Sequence, residues 1–180
     1  TKLTEGDLTV ESHDALPLRV LQALFMKAGQ DLVMSENILA VQWGKLLVNL
    51  NNAFNTLTGG TLREGLLQRH YRKALALIVE EGLNVAKGAG INPAAFGKAD
   101  ASKMIKILRL PNFIYKIIMN KIVKIDASAR SSMLDDLEMG RVSEIDYLQG
   151  EIVRLAEKTG QSAPYNKIIY DMVDDAFAKG

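Results

Sequence analysis

The sequence contains no cysteine and only two histidines, and these absences exclude several kinds of site. Without cysteine the chain has no disulfide, no thiol nucleophile and no cysteine-ligated iron–sulfur cluster, which fits a reducing cytoplasm. His13 and His70 are far apart in sequence, which argues against a zinc site. The net charge is only +1, which argues against nucleic acid as the main partner. No apolar run is long enough to cross a bilayer, and we expect no signal peptide.

The 180 residues divide into two parts with different periodicity. Residues 6–12 alternate like a strand, residues 15–28 have helical spacing, and residues 31–34 resemble a second strand, which is the order of a parallel α/β unit. Ser35 is a predicted N-cap, and every periodic segment from there onward is helical. We therefore predict an α/β piece at residues 1–35 and a mainly helical domain at residues 36–180. The predicted helices are 38–58, one or two within 62–88, 102–110, 112–123, 133–139, 144–158 and 165–178.

The segment Ile38–Thr58 has a single charged side chain, Lys45. Asn49 and Asn52 follow it by four and seven residues, so a helix places all three on one face. This pattern predicts a buried helix that lines a polar pocket. A buried ammonium suits a proton donor or an anion binder, because its pKa shifts readily. The alternative is a lysine that extends from a core helix to solvent, with the asparagines at turns or caps.

The stretch 101–124 contains six basic residues and no acidic one, namely Lys103, Lys106, Arg109, Lys116, Lys121 and Lys124. It either binds a phosphate-bearing ligand or an acidic partner, or forms a solvated face whose apolar residues pack inward. Those apolar residues are Ile105, Leu108, Phe113, Ile117 and Ile118. The segment 113–123 is apolar on more than one face, which favours self-association.

Two predicted helix N-termini lie close together in sequence after residue 130. Ser132 with Asp135, and Ser143 with Asp146, have the spacing of capping pairs. Such N-termini present free N–H groups that suit a carboxylate ligand. Glu144 is then either a partner of the helix dipole or an acid in a pocket.

Two segments resemble the C-terminal helical domain of the ketopantoate reductases, also called 2-dehydropantoate 2-reductases. They are WGKLLVNLNNAFNTLTG (43–59) and ARSSMLDDLEMGRVSEIDYLQGEIVRLAEKTGQSAPYN (129–166). The resemblance implies a multi-helix domain of the 6-phosphogluconate dehydrogenase C-terminal-like type, preceded in residues 1–35 by the tail of a Rossmann domain. The glycine-rich GxGxxG fingerprint is missing from this sequence. The resemblance therefore implies that NADPH is bound mainly by a domain absent from this chain, and that the chain alone is inactive.

The same resemblance implies roles for individual residues. Lys45 is the general acid that protonates the alkoxide as hydride reaches the keto carbon, and Asn49 holds polar groups of the substrate. Ser132 binds the substrate carboxylate, and Glu144 lies near the substrate hydroxyl and the lysine. Such a lysine must be desolvated enough to lower its pKa.

The sequence departs from the family pattern at two places. The family often has a second asparagine where this chain has Ala53, so Asn52 is the expected substitute in substrate binding. Members commonly have Asn-Gly where Gln149 and Gly150 stand, a position without an assigned role.

The resemblance implies a cytoplasmic homodimer that reduces ketopantoate with NADPH in pantothenate and coenzyme A synthesis. One alternative is a reductase for another small 2-keto acid, because the rest of the pocket selects the side chain. A second is a non-catalytic helical oligomerisation module. Lys45 and Glu144 argue against that module, because packing alone needs no lone lysine among amides.

Overall fold

A computed structural model of the chain describes residues 8–12, 16–95, 100–122 and 128–179. The described part is mainly helical, as predicted, and none of its helices is long and apolar enough to cross a membrane. In chain order the elements are β1 (Leu8–Glu11), α1 (Leu16–Lys27), β2 (Leu32–Ser35), α2 (Ile38–Thr58), α3 (Leu62–Leu67), α4 (Arg69–Gly88), α5 (Ala101–Leu108), α6 (Asn112–Ile122), α7 (Ser132–Glu138), a 3₁₀ turn (Ile145–Tyr147), α8 (Gln149–Lys158) and α9 (Pro164–Lys179).

The N-terminal elements form the predicted strand–helix–strand unit. β1 and β2 pair in parallel, with Leu8 opposite Leu32 and Glu11 opposite Ser35. Between them α1 ends before Gly29, whose φ of 69° is a conformation that suits glycine. Residues 6, 7 and 15 of the predicted elements, and His13, lie outside the described residues.

Helix α2 has the bounds that its nearly uncharged sequence predicts. Its N-cap is Asn37, whose Oδ1 accepts a hydrogen bond from Ala40 N at 3.0 Å. The predicted cap, Ser35, is wrong, because its Oγ instead accepts from Asn37 N one turn earlier, at 3.2 Å. Gly59 ends the helix with a φ of 65°.

The other helices pack around α2 and α4. α2 contacts α4, α7 and α9, while α4 also contacts α5 and α8, and α8 lies against α9. The centre of the core consists of fully buried aliphatic side chains from four helices, namely Leu47, Leu50, Val79, Ile152 and Val173. The core therefore fixes α2 along one face and leaves its opposite face for other contacts.

A fully buried arginine, Arg72, joins α3, α4, α5 and α6. Its guanidinium donates to carbonyls at the ends of α3 and α5 and in the turn after α5, and to Asn112 Oδ1 at 2.8 Å. Those carbonyls belong to Leu66, Leu67, Leu108 and Leu110. The cation also lies 4.0 Å from the ring centre of Tyr115. Helix C-termini present unpaired carbonyls and a negative dipole end, so this cation satisfies groups that the core would otherwise bury unbonded.

The basic stretch is exposed, which favours the solvated-face interpretation. Lys103, Lys106, Arg109 and Lys116 face solvent, and Arg109 pairs with Glu80. Ile105 and Leu108 pack inward as predicted. The prediction is wrong for two residues of α6, because Phe113 is 68% exposed and Ile117 is 55% exposed. Tyr115 and Met119 fill the buried face instead.

The end of this stretch is only partly described. Val123 and Lys124 lie outside the described residues, and the side chain of Lys121 is not among those described.

The predicted helix 144–158 is divided in two. Ser143 Oγ accepts from Ile145 N at 3.1 Å, which starts only the single 3₁₀ turn. Leu148 then leaves helical geometry, with φ −112° and ψ −97°, and α8 begins at Gln149. Gln149 is fully buried and its Nε2 donates to Leu50 O on α2 at 3.1 Å. This tertiary bond fixes where α8 starts, and no local pattern predicts it.

Candidate functional site

The stripe predicted on α2 borders a surface groove of about 480 Å³. Lys45 and Asn49 both line the groove, whereas Asn52, one turn further, does not. The opposite wall comes from the 3₁₀ turn and the first turn of α8. The described residues of the lining are Leu39, Gln42, Trp43, Lys45, Leu46, Asn49, Tyr147, Leu148 and Glu151.

Lys45 is exposed in this groove, so the expectation of a buried lysine is wrong. Its helix buries Trp43 and Leu47 on the adjacent face, while Asn49 is half-buried. The sequence suggested burial because acidic and basic residues are nearly absent. Gln42 and Asn49, however, line an open groove beside Lys45. In the part of the chain that the structure describes, no carboxylate oxygen lies within 4.0 Å of Lys45 Nζ.

The start of α7 is joined to α2 beside Asn52. Ser131 is 2% exposed, and its Oγ donates to Asn52 O at 3.2 Å and accepts from Leu134 N at 3.2 Å. Its backbone N–H donates to Asn55 Oδ1 at 3.1 Å. Ser131 is therefore the N-cap, and the predicted cap Ser132 is wrong. Ser132 is exposed as the first residue of α7.

Glu144 is exposed and precedes the 3₁₀ turn at the far wall of the groove. Its carbonyl accepts from Tyr147 N at 3.0 Å. Tyr147 and Leu148 line the groove with Lys45, but Glu144 itself does not. The structure thus brings Lys45 and Asn49 together, and places Asn52, Ser132 and Glu144 outside the groove lining.

The family follows from comparison with known proteins. Residues 37–176 match the family model described as the ketopantoate reductase PanE/ApbA C-terminal domain. The chain belongs to this family. The match begins at the N-cap of α2 and includes Lys45, Asn49, Asn52, Ser132 and Glu144.

Individual ketopantoate reductases support the match. The chain is 28% identical over 172 residues to a 2-dehydropantoate 2-reductase of Yersinia pestis, which covers 95% of the chain and 46% of that protein. A solved PanE/ApbA family ketopantoate reductase from Ralstonia eutropha JMP134 superposes with a TM-score of 0.77 at 25% identity, covering 98% of the chain and 53% of that structure. The chain therefore spans about half the length of these two relatives.

The helical fold also occurs beyond proteins described as ketopantoate reductases. D-mandelate dehydrogenase, solved with NADH and anilino(oxo)acetate, superposes with a TM-score of 0.71 at 21% identity. The superposition covers 97% of the chain and 68% of that structure. At this identity the likeness shows the fold alone.

Sequence reasoning missed three polar residues of the groove in this ketopantoate reductase domain, namely Gln42, Tyr147 and Glu151. Tyr147 is 77% exposed at the edge of the groove. Tyr147 and Glu151 are four residues apart, a spacing that indicates one helical face, but only the packing of α8 shows that this face meets α2. Within the described residues no group of three or more histidines and acids is arranged to hold a metal ion.

Proposed function

We propose that this chain is the substrate-binding half of a 2-dehydropantoate 2-reductase, which reduces ketopantoate to pantoate with NADPH in pantothenate and coenzyme A synthesis. The main support is that Lys45 and Asn49 line one groove on the helix at the start of the matched family region. An ammonium and amides beside Trp43 and Leu46 suit a small keto acid with an apolar body.

In the proposed reaction Lys45 is the general acid. As the keto carbon accepts a hydride, Lys45 Nζ donates a proton to the carbonyl oxygen, and the product is a hydroxy acid. The ammonium also stabilises the negative charge that grows on this oxygen in the transition state. Its exposure in the groove makes the proton accessible to a substrate that enters from solvent. Closure over the bound substrate then supplies the desolvation that a proton donor needs.

The remaining roles in this proposal belong to polar groups around the groove. Asn49 binds polar substrate atoms, and Asn52 assists from the next turn of α2. Ser132 binds the substrate carboxylate at the start of α7, a position supported by the bond between Ser131 Oγ and Asn52 O. Glu144, just before the 3₁₀ turn, contacts the product hydroxyl and orients the lysine.

The residues of the chain fit the keto acid better than they fit the phosphates of a dinucleotide. The connection between β1 and α1, residues 12–15, contains no glycine, so it lacks the phosphate-binding turn of a Rossmann domain. We therefore propose that NADPH is bound mainly by an N-terminal nucleotide-binding domain, of which residues 1–35 are the last part. When bound, the reduced nicotinamide supplies the hydride.

The direct test is to assay the full-length gene product with ketopantoate and either NADPH or NADH, following the loss of nicotinamide absorbance. We expect reduction of ketopantoate with NADPH preferred. A folded protein that reduces no 2-keto acid with either cofactor would contradict the proposal and favour the non-catalytic helical module.

A second candidate is a reductase for a different 2-keto acid. It is favoured by the apolar part of the open groove, Trp43, Leu46 and Leu148, which offers contact to alkyl and aromatic side chains alike. The groove walls beyond Lys45 and Asn49 select the side chain. A panel of 2-keto acids with aliphatic and aromatic side chains, compared by kcat/KM, separates the two candidates.

We also propose that the protein is a homodimer. The exposed apolar residues of α6, Phe113 and Ile117, lie one helical turn apart and form a patch suited to self-association.

A further inference from the structure

Among the described residues that line the groove, one besides Lys45 is charged, and it is an acid. Glu151 lines the groove from the first turn of α8, across from Lys45 and Asn49 on α2. The described part of the lining thus has one cation and one anion. Lys45 and Glu151 line the same groove, so a substrate that fills it meets both charges.

The carboxylate of Glu151 is held in place by an arginine outside the groove lining. Arg154 Nη2 donates to Glu151 Oε2 at 2.8 Å and to the carbonyl of Asp146 at 2.6 Å. The second bond ties the arginine to the 3₁₀ turn that also supplies Tyr147. The guanidinium engages one oxygen of Glu151, and Oε1 can still accept a hydrogen bond from a ligand.

We propose that Glu151 determines substrate specificity: it selects 2-keto acids whose distal group is neutral and donates a hydrogen bond, and it rejects those with a second carboxylate. This inference rests on the proposed function. A 2-keto acid already brings one negative charge, which Lys45 and the start of α7 can accommodate. A second carboxylate would face Glu151, and like charges at close range repel. A hydroxyl in the same position would donate to Glu151 Oε1.

The apolar lining agrees with this selection. Trp43, Leu46 and Leu148 line the groove with the two charged residues and provide contact for an alkyl body. The preferred substrate is then a 2-keto acid with a compact alkyl chain that ends in a hydroxyl. Ketopantoate has this chemistry, whereas 2-oxoglutarate has an alkyl chain that ends in a carboxylate.

The test compares kcat/KM for ketopantoate and for 2-oxoglutarate in the full-length gene product with NADPH. Glu151→Gln removes the charge at nearly constant volume. It should raise the efficiency with 2-oxoglutarate relative to ketopantoate by about fivefold, as expected for a partly solvated charge pair. The change should appear mainly in KM, because the contact is made in the ground state and the transition state alike. High salt should reduce the effect.

Two further variants serve as controls. Glu157→Gln removes an exposed glutamate from the same helix outside the groove lining and should leave the ratio unchanged. Glu151→Asp keeps the charge and should keep the preference for ketopantoate.

The possible outcomes separate this inference from the proposed function. If the wild type reduces ketopantoate but Glu151→Gln behaves like Glu157→Gln, the role of Glu151 is overturned and the reductase proposal stands. A wild-type preference for 2-oxoglutarate would overturn the role of Glu151 and favour the second candidate, a reductase for a different 2-keto acid. If the wild type reduces no 2-keto acid, both proposals are overturned.

Discussion

At the scale of single residues, the exposed position of Lys45 predicts that substituting it changes the reaction rate but not the stability of the fold. An exposed side chain contributes little to folding, because it loses few contacts when it is truncated. A positioned proton donor, by contrast, contributes a large part of the rate. The two properties can therefore be measured independently on one variant.

Replacing Lys45 with Ala in the full-length enzyme should lower kcat by about 10²-fold or more, the usual contribution of a general acid. The free energy of unfolding should change by less than about 0.5 kcal/mol, because the side chain is exposed. Steady-state kinetics and thermal melting on the same preparation measure both. Lys73→Ala, at an exposed position on α4, is the matched control. A stable and fully active Lys45→Ala enzyme would refute the general-acid role.

Arg72 is the opposite case, a charged residue whose contribution is to stability. Arg72→Ala leaves four carbonyls and Asn112 Oδ1 without their shared donor, so we expect a loss of about 3 kcal/mol or more. Arg72→Lys should also destabilise, since an ammonium cannot reproduce the planar fork of donors. Urea unfolding measures the loss. Arg69→Ala, exposed one turn earlier on α4, should cost less than about 0.5 kcal/mol. Equal effects at positions 69 and 72 would show that the buried network is not important for stability.

At the scale of elements, the start of α7 contains two neighbouring serines, and replacing each should have a different effect on stability and on KM. Ser131→Ala removes the N-cap and the bond to Asn52 O, so it should reduce stability by about 1–2 kcal/mol. Ser132→Ala removes an exposed hydroxyl and should leave stability nearly unchanged while raising KM for ketopantoate. Melting temperatures and KM values for the pair test this division. An unchanged KM in Ser132→Ala would remove the proposed carboxylate contact.

The burial of two phenols, Tyr71 on α4 and Tyr115 on α6, predicts a loss of stability in alkaline solution. Burial raises the pKa of Tyr115 from its ordinary 10.0 to about 12, and burial also raises the pKa of Tyr71. Both phenols keep their protons to higher pH in the folded protein than in the unfolded chain. Stability is therefore complete below pH 10 and falls as the pH rises towards 12.

The tyrosine contributions can be separated by substitution. Tyr115→Phe should weaken the alkaline loss, as measured by melting temperature against pH, while Tyr165→Phe, at an exposed position, should not alter it. Identical alkaline profiles for wild type and Tyr115→Phe would show that this phenol does not cause the loss.

The elements also show what the sequence could predict. The bounds of α2 are predictable because a nearly uncharged run ends at two glycines, Gly59 and Gly60. The parallel pairing of β1 and β2 follows from local alternation and an intervening helix. The start of α8 is not predictable, because it depends on the bond between Gln149 and Leu50 O across 99 residues. The place of Glu151 in the groove depends on the same packing.

At the scale of the whole molecule, the family resemblance predicts more than periodicity does. Periodicity indicates that Lys45 and Asn49 share a face, and the groove confirms their proximity. Periodicity cannot indicate which helices face α2, so it does not show whether Ser132 or Glu144 lies near Lys45. The resemblance assigns them roles, and these roles stay predictions because neither residue lines the groove with Lys45.

The exposed apolar surface of the molecule supports the last prediction, which is self-association. α6 exposes Phe113 and Ile117 one turn apart, so burying both against a second copy would remove contiguous apolar surface from water. Sedimentation at micromolar concentration should report a dimer or larger species. The double variant Phe113→Ser with Ile117→Ser should shift the protein towards monomer.

A matched control shows whether association depends on the α6 patch or on exposed apolar surface in general. α9 exposes Ile168 and Met172 with the same spacing, so changing both to Ser removes a comparable amount of apolar surface elsewhere. If α6 forms the interface, only the α6 variant dissociates, because the contacts that exclude water lie on that helix. Dissociation by the α9 variant alone would move the interface to α9. A wild-type protein that sediments as a monomer would contradict the homodimer.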